Sequence, residues 1–283
     1  MKKILVAGAT GYLGKYVVQE LKKQGYWIRA LARNKKKLGD LNDHIDEVFE
    51  GEITKQETLV KVCDDIDVVI SAVGITRQKD GLTYMDVDYQ GNKNLLDLAL
   101  QNKVSKFIFV SVLNANKMGH LKGIEAKLLF EEDLVKSRID YVIIRPTGFF
   151  SDMLEFLNMA KKGKVSVFGS GDNKINPIHG ADLAEACVKA IIKSEKEINI
   201  GGPEVFTFNE IAELALAVQN KPIKISKLPM WMINIILPLM RTFTSSKTYG
   251  PVEFMMTVMT RDVVGESYGT EKLENFFKQS STT

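Results

Sequence analysis

The sequence predicts an α/β protein, with a doubly wound parallel sheet over residues 1–150 and a smaller α+β lobe over residues 151–283 that is interleaved with it. Six short apolar runs alternate with amphipathic stretches in the first part, at 4–6, 28–31, 48–49, 68–72, 107–110 and 141–144. Strands that alternate with helices pair in parallel through helical crossovers. In the second part, apolar runs at 165–168, 198–200 and 223–225 predict shorter strands between helices.

The stretches between the apolar runs carry apolar residues at helical spacing. Two predicted helices show this spacing clearly. Their apolar positions are Leu95, Leu96, Leu98 and Ala99 in the first and Leu128, Leu129, Leu134 and Val135 in the second. We expect these faces to cover the sheet.

Composition limits the classes of function. A chain of 283 residues with 45% hydrophobic content buries a large core, and its net charge of +3 does not indicate nucleic-acid binding. Cys63 and Cys187 lie on apolar helix faces and predict buried thiols rather than a disulfide or a metal site. The sequence starts without a signal-peptide pattern, and together with reduced thiols this predicts a cytoplasmic protein.

The first apolar run ends in a glycine-rich turn at 8–14, and a helix pattern follows at once. The first turn of a helix has unpaired N–H groups and a positive dipole end, which hold a phosphate, and glycine lets a pyrophosphate approach the backbone. The turn therefore predicts a dinucleotide site, and the alternative is a strand-to-helix turn without a ligand. The predicted contacts are Gly8, Thr10, Gly11, Tyr12, Leu13 and Gly14.

The second apolar run indicates which dinucleotide binds. A site for NAD has an acid about 20 residues after the glycines, which accepts from the ribose 2′-hydroxyl. Arg33 ends this run instead, and Lys35, Lys36 and Lys37 follow. A guanidinium clasps a 2′-phosphate, so we expect NADP (as NADPH) to be preferred over NAD, with Arg33 and Lys37 as contacts. The alternative is a solvated surface loop.

Further ligand contacts are expected at the carboxyl ends of the strands, where open α/β sheets bind their ligands. These positions are Glu52 and Ile53 after the third run, Ala72, Val73 and Gly74 at the end of the fourth, Ser111 and Asn114 after the fifth, and Pro146, Thr147, Gly148, Phe149 and Phe150 after the sixth. The loops after the fifth and sixth runs are expected to face a nicotinamide.

Five segments in a fixed order carry a family resemblance over roughly residues 3–220. They read GATGYLG at 8–14, ALAR at 30–33, DYQGNKNLL at 88–96, IRPTGF at 144–149 and NPIHGADL at 176–183. The chain resembles the atypical short-chain dehydrogenase/reductases, and among them the NmrA-like and NAD(P)H-binding, sugar-epimerase-like branch. The resemblance implies a Rossmann fold and nicotinamide contacts from Pro146 to Phe149.

The resemblance also implies a tyrosine four residues before a lysine, with a serine or threonine at the end of strand five. Lys127 and Ser111 match the last two, but Gly123 stands where the tyrosine is expected. Lys127 is therefore expected to orient the nicotinamide ribose or to act alone as acid or base. The alternative is a surface lysine paired with Glu131 at i+4.

Four residues are candidates for lining a substrate pocket: Asn114, His120, Phe150 and His179. His120 precedes Lys127 and is a substitute proton donor in this interpretation. We interpret Asp182, which follows His179 at a helix start, as structural, because an acid near a helix N-terminus is favoured by the dipole.

The most apolar part of the chain spans 228–259, and its first run is interrupted by Pro229 and Pro238. That run is too short to cross a bilayer, which takes about 20 residues. We interpret the segment as the lid or core of a pocket for an apolar substrate. A peripheral membrane contact through an amphipathic helix is the alternative.

Two functions agree with these expectations. The first is an NADPH-dependent reductase of a small or medium apolar carbonyl, enone or quinone. The second is a non-catalytic NADP-binding redox sensor or assembly factor of the NmrA type, whose nucleotide-bound state is detected by a regulatory protein partner. The missing tyrosine favours this second function. Nucleotide-sugar epimerisation is disfavoured, because in the family it depends on that tyrosine.

Overall fold

A computed structural model of the protein describes residues 1–75 and 81–282. The chain divides into two compact units. The first comprises Met1–Arg145 and Leu183–Ile198, and the second Pro146–Asp182 and Asn199–Thr283. The chain thus leaves the first unit close to the boundary predicted at residue 150 and returns to it once.

The first unit is built on a parallel sheet of apolar strands. Such strands are rich in β-branched residues because both faces of a parallel sheet are buried. The strands are β1 (Lys3–Ala7), β2 (Trp27–Ala32), β3 (Glu47–Glu50), β4 (Val68–Ser71), β5 (Lys106–Val110) and β6 (Asp140–Pro146). Each overlaps the apolar run that predicted it.

The order of these strands is β3-β2-β1-β4-β5-β6, and neighbours pair in parallel. The chain runs outward from β1 to β3 and then crosses back, so that Ile4 of β1 lies opposite both Ile28 of β2 and Val68 of β4. This reversal sets the loops after β1 and β4 side by side, where open α/β sheets bind ligands. The predicted doubly wound sheet is confirmed.

Helices of the first unit carry the expected apolar faces. They are α1 (Tyr12–Lys23), α2 (Asn92–Gln101), which a π-helical stretch (Met85–Gly91) precedes, and α3 (Lys122–Lys136). Helix α1 buries Val17, Val18 and Leu21. Amphipathic helices gain most of their stability from such packing rather than from intrinsic propensity.

The buried face of α3 contains Leu134, as predicted, but it is rotated away from two of the predicted positions. Leu129 and Val135 are exposed, whereas Phe130 is fully buried. The ring of Phe130 packs against Phe107 and Phe109 of β5, with centroids 5.7 and 4.6 Å away. Aromatic side chains bury more area than leucine and valine, so the packing of Phe130 determines which side of α3 faces the sheet.

Both cysteines lie in the core, as predicted, but only Cys187 is on a helix, because Cys63 lies in the turn that precedes β4. Burial raises the pKa of the Cys63 and Cys187 thiols to about 12, which keeps them protonated. Within residues 1–75 and 81–282, no cluster of His, Cys, Asp or Glu side chains is arranged to hold a metal ion. Helices long and apolar enough to span a bilayer are absent from the same ranges. The cytoplasmic location stays a prediction.

Most elements of the remaining chain belong to the second unit, and four of its short strands form two sheets of two strands each. The elements are α4 (Phe150–Lys161), β7 (Val165–Phe168), β8 (Lys174–Ile175), α5 (Gly180–Lys189), β9 (Glu197–Gly201), β10 (Phe206–Thr207), α6 (Phe208–Val218), β11 (Ile225–Leu228), α7 (Met230–Phe243), α8 (Ser246–Met259), β12 (Glu266–Ser267) and α9 (Leu273–Ser281). β11 begins at Ile225, later than predicted, because it pairs there with Val165, the first residue of β7.

Helix α7 continues through Pro238, which the sequence indicated as an interruption. Pro229 occupies the position before the first helical residue, where proline is tolerated. Pro238 lies inside the helix, and its carbonyl oxygen accepts a hydrogen bond from Thr242 Oγ1 at 2.9 Å. This bond supports the turn that follows the proline.

The turn between β1 and α1 is a close backbone contact. Gly8 has a φ of +86°, a conformation that residues with a side chain rarely adopt. A Cβ atom at Gly14 would lie 2.0 Å from the carbonyl oxygen of Gly8. Only glycine at position 14 lets α1 start at this distance from the turn.

We expect Gly14→Ala to lower the free energy of unfolding by about 1–3 kcal/mol, because the new methyl group overlaps a backbone atom. The measurement is urea denaturation followed by circular dichroism. Gly123→Ala on α3 is the matched control, since its Cβ would meet the movable Tyr84 ring at 3.2 Å. Equal stability of Gly14→Ala and the native chain would show that the turn does not have this geometry.

Candidate functional site

The glycine turn presents helix amides at the carboxyl edge of the sheet. Gly11 is exposed, and its amide donates to the carbonyl oxygen of Gly8 at 2.9 Å. The first helical hydrogen bond runs from the Lys15 amide to the carbonyl oxygen of Gly11 at 3.2 Å. The amides of residues 12–14 precede it and therefore have no acceptor within the helix. The first turn reads Tyr-Leu-Gly-Lys and contains no acid that would repel an anion. This backbone fits a diphosphate.

The loop after β4 lies against the glycine turn. A Cβ atom at Gly8 would be 2.9 Å from the carbonyl oxygen of Ala72, whose amide donates to Ala7 at 3.0 Å. Ala72 and Val73 are half-buried and Gly74 is exposed. The structure therefore brings the predicted contacts at 72–74 next to those at 8–14.

Arg33 and Lys37 are exposed and follow β2, the strand next to β1. Lys37 belongs to a 3₁₀-helical segment, Lys35–His44. Asn34 caps that segment by accepting a hydrogen bond from the Lys36 amide at 2.9 Å. Both residues thus follow the carboxyl end of β2, at the edge of the sheet where the glycine turn follows β1.

The two residues predicted after β3 differ in environment. Glu52 is half-buried and pairs with Lys55 at 3.2 Å. Ile53 is buried in the hydrophobic core, and its carbonyl oxygen accepts from Asn94 Nδ2 at 3.0 Å. A side chain at Gly91 would lie 2.9 Å from Ile53, so this part of the loop is tightly packed.

Lys127 forms an ion pair with a buried carboxylate. Its Nζ lies 3.0 Å from Oδ1 of Asp88, which is only 1% exposed. The other oxygen of Asp88 accepts from the Ile75 amide at 3.1 Å. A Cβ atom at Gly74 would lie 2.8 Å from Lys127 Nζ and 2.9 Å from Asp88, so glycine leaves room for the pair. The alternative pairing of Lys127 with Glu131 is wrong.

Burial raises the pKa of the Asp88 carboxyl, although the Lys127 ammonium and the Ile75 amide both favour its charged form. Asn92 holds the backbone of Asp88 by donating to its carbonyl oxygen at 2.9 Å. The Lys127 ammonium also lies 5.4 Å from the centre of the Phe109 ring. Asp88 was not predicted as a site residue, although it is the first residue of the 88–96 segment that carries the family resemblance. Asn92 and Asn94 of the same segment are also buried.

Ser111 belongs to a second charged network, which extends from buried Glu131 to exposed Glu197. Its Oγ donates to Glu131, a carboxylate that also accepts from Arg145 at 2.6 Å. Arg145 reaches Glu197 at 2.6 Å on its other side. Burial alone would lower the pKa of Arg145, but its hydrogen bonds to both glutamates raise it, and Arg145 lowers the pKa of Glu197. Sequence reasoning missed Glu131 as the partner of Ser111.

A tyrosine from another element covers the position of the expected tyrosine. The ring of Tyr84 lies 3.2 Å from where a Cβ atom at Gly123 would stand. Gly123 is one helical turn before Lys127 on α3, so Tyr84 packs on the same region of that helix. Sequence reasoning did not identify Tyr84, because it lies far from Gly123 in the chain.

Asn114 and His120 lie between β5 and α3. Asn114 has a φ of +57° and begins a short 3₁₀ turn, Ala115–Lys117. Asparagine tolerates this left-handed conformation better than most residues. His120 is exposed. Their assignment to a substrate pocket stays a prediction.

The second unit holds the candidates that follow β6. Pro146 and Thr147 are buried, and Gly148 and Phe149 are half-buried. Thr147 Oγ1 donates to the carbonyl oxygen of Asn176 at 2.6 Å. The Phe149 amide donates to Asp152 at 3.0 Å at the start of α4. The Thr147 hydroxyl thus has a backbone partner within its own unit.

Phe150 and His179 form an aromatic cluster with Phe276, in which the ring centroids are 5.5–5.7 Å apart. Burial lowers the pKa of His179, against the charges of Glu271 and Asp182, which raise it. His179 Nδ1 accepts from the Ala181 amide at 3.3 Å. The Asp182 carboxylate accepts from the amides of Thr270 and Glu271, so its contacts are structural, as predicted.

Several known proteins are similar to this chain in sequence or in fold. The photosystem II assembly factor Ycf39 of Synechocystis sp. is 29% identical over 86% of this chain and 74% of that protein. The chloroplastic divinyl chlorophyllide a 8-vinyl-reductase of Arabidopsis thaliana is 28% identical over 97% of this chain and 75% of that protein. The Escherichia coli NADPH-dependent quinone oxidoreductase QOR2, crystallised with NADPH, has the same fold, with a TM-score of 0.72 at 18% identity over 98% of this chain and 99% of that chain.

A family model described as NAD(P)H-binding matches residues 8–194, which include the glycine turn, the loop after β4 and Lys127. The matched span covers well over half of the chain. The chain therefore belongs to this NAD(P)H-binding family, within the atypical, NmrA-like short-chain dehydrogenase/reductases.

Proposed function

We propose that the protein is an NADPH-dependent reductase of a small or medium apolar carbonyl, enone or quinone. The observation that carries this proposal is the Lys127 ammonium, held by buried Asp88 next to exposed Gly74 in the loop that adjoins the glycine turn. An ammonium fixed at the ligand-binding edge of a sheet in this family is suited to donate a proton beside a nicotinamide.

The bound dinucleotide would supply the hydride. The amides at the start of α1 bind its diphosphate, and Arg33 with Lys37 binds the 2′-phosphate, which is the basis for preferring NADP over NAD. Glu52, Ile53 and residues 72–74 are the proposed contacts along the sheet edge.

Lys127 Nζ donates hydrogen bonds to the ribose or to the substrate oxygen, and it supplies a proton to that oxygen as negative charge develops there. Asp88 fixes the position of Nζ, and the Ile75 amide fixes Asp88. These contacts leave the ammonium fewer orientations than a surface lysine has, which lowers the entropy cost of aligning it with a substrate.

The remaining candidates belong to the proposal with separate roles. We assign Pro146, Thr147, Gly148 and Phe149 to the nicotinamide side of the cofactor. Phe150 and His179, which pack with Phe276, form an apolar surface in the second unit, in keeping with an apolar substrate. Asn114 and His120 are further candidates for contacting the substrate.

A non-catalytic NADP-binding sensor or assembly factor is the second candidate. Two observations favour it: Gly123 stands where the family's tyrosine is expected, and the Ser111 hydroxyl already donates to Glu131. One relative is named as an assembly factor. In this alternative, bound nucleotide orders the loops at the sheet edge and a protein partner detects the change.

We expect Lys127→Met to lower the turnover number for NADPH oxidation by about 10²–10⁴-fold, because the proton donor is lost. The assay follows NADPH absorbance with a panel of quinones, enones and aldehydes. Lys127→Met leaves Asp88 buried without its cation, so a second variant, Asp88→Asn with Lys127→Met, keeps the site neutral and is expected to be equally slow.

Lys122→Met is the control, because Lys122 is exposed on the same helix and its loss should leave turnover unchanged. Equal rates for Lys127→Met and the native chain would eliminate the lysine mechanism. If the native chain binds NADPH but turns over no substrate in the panel, the sensor becomes the preferred function.

We expect Arg33→Asp to weaken NADPH binding by about 10–100-fold, since a charged hydrogen bond worth about 1.5–3 kcal/mol is replaced by repulsion, and to leave NADH binding unchanged or tighter. Isothermal titration calorimetry gives both dissociation constants. Lys36→Asp makes the same change of charge in the same exposed run and should have a much smaller effect. Unchanged NADPH affinity in Arg33→Asp would remove Arg33 from the site.

A further inference from the structure

Helix α7 presents large apolar side chains to solvent on one broad face. Trp231, Ile235, Leu239 and Phe243 follow one another at intervals of four residues, and they are 62%, 52%, 52% and 79% exposed. Residues four apart on a helix are neighbours on its surface, so the four side chains form a continuous stripe. A contiguous exposed apolar surface marks an interaction site more often than scattered exposed leucines do.

The charge of this region has one sign. Residues 221–252 contain no aspartate or glutamate, and Lys221, Lys224 and Lys227 are exposed just before the helix. Arg241 pairs with Glu253 of α8, so its charge is balanced within the protein. Three exposed lysines therefore precede the apolar stripe, and they favour a negatively charged surface as its partner.

We infer that α7 docks on a membrane surface that contains anionic lipid. The stripe lies in the boundary between headgroups and acyl chains, and the three lysines contact the lipid phosphates. Helix α7 has 14 residues, which is too short to cross a bilayer and suits a helix that lies in the plane of the interface. Pro229 and Pro238 do not prevent this arrangement, because the helix continues through the second of them.

A second copy of the chain fits this surface less well than a lipid bilayer does. In a two-fold contact between stripes, residues 221–252 of the second copy would offer the three lysines no acidic side chain. An anionic bilayer instead offers an apolar interior for Trp231 and Phe243 and negative charge for the lysines. The inference concerns binding alone and does not depend on the proposed reductase activity.

Trp231 provides a direct probe, because Trp27 is the only other tryptophan in the sequence. Trp27→Phe leaves Trp231 as the sole tryptophan in the full chain. Its emission is expected to move to shorter wavelength when vesicles that contain phosphatidylglycerol are added. Binding measured by this shift should be at least about tenfold tighter than to pure phosphatidylcholine vesicles, and added salt should weaken it. Vesicle flotation of the native chain provides an independent measurement.

Leu239→Glu and Ile235→Glu change exposed positions of the stripe and should reduce vesicle binding by about tenfold or more. Ile192→Glu is the matched control, since Ile192 is 78% exposed in the first unit. Binding that is absent, independent of lipid charge, or lost equally in Ile192→Glu would overturn the inference. A native dimer in sedimentation that Leu239→Glu dissociates would also overturn it, because a second copy would then cover the stripe.

Discussion

The contact between the Gly8 carbonyl and α1 is the constraint on which the geometry of the site depends. The helix starts so close to the turn that a methyl group at position 14 would overlap the oxygen of Gly8. This closeness directs the first amides of α1 towards the carboxyl edge of the sheet. The same glycine also approaches Ala72, so that the loop after β4 is brought to the same place. Glycine at 8 and 14 thus determines how close α1 and the loop after β4 come to this turn, which is the proposed diphosphate site.

Each of the two charged networks of the first unit contains one residue of α3, Lys127 in one and Glu131 in the other. Lys127 and Glu131 are one helical turn apart, a spacing that in an exposed helix favours a mutual ion pair worth only about 0.2–0.5 kcal/mol. Each instead meets a buried partner: Lys127 pairs with Asp88, and Glu131 accepts from Ser111 and Arg145. Buried charges without a partner cost several kcal/mol, so these contacts prevail over the local pair.

Local patterns in the sequence predicted the strands and the glycine turn, which depend on neighbouring residues. They did not predict side-chain contacts between residues that are distant in the chain. The six strands and the glycine turn follow from runs of a few residues, and the structure has them where expected. Asp88 and Lys127 are far apart in the chain, and no local pattern indicates that their side chains meet. In α3, Phe130 packs against β5 and the predicted Leu129 is exposed. Helical periodicity alone cannot distinguish a contact made by Phe130 from one made by Leu129.

The absence of the family's tyrosine changes what the remaining residues must do. Gly123 stands at that position and the Ser111 hydroxyl donates to Glu131, whereas the Lys127 ammonium is held beside Gly74 in the loop after β4. Its pairing with Asp88 makes the local charge close to neutral. An isolated ammonium would lose much solvation when an apolar molecule covered it, whereas a paired one loses less because its carboxylate stays in place. A neutral pair next to an exposed glycine is therefore compatible with both an apolar substrate and proton transfer.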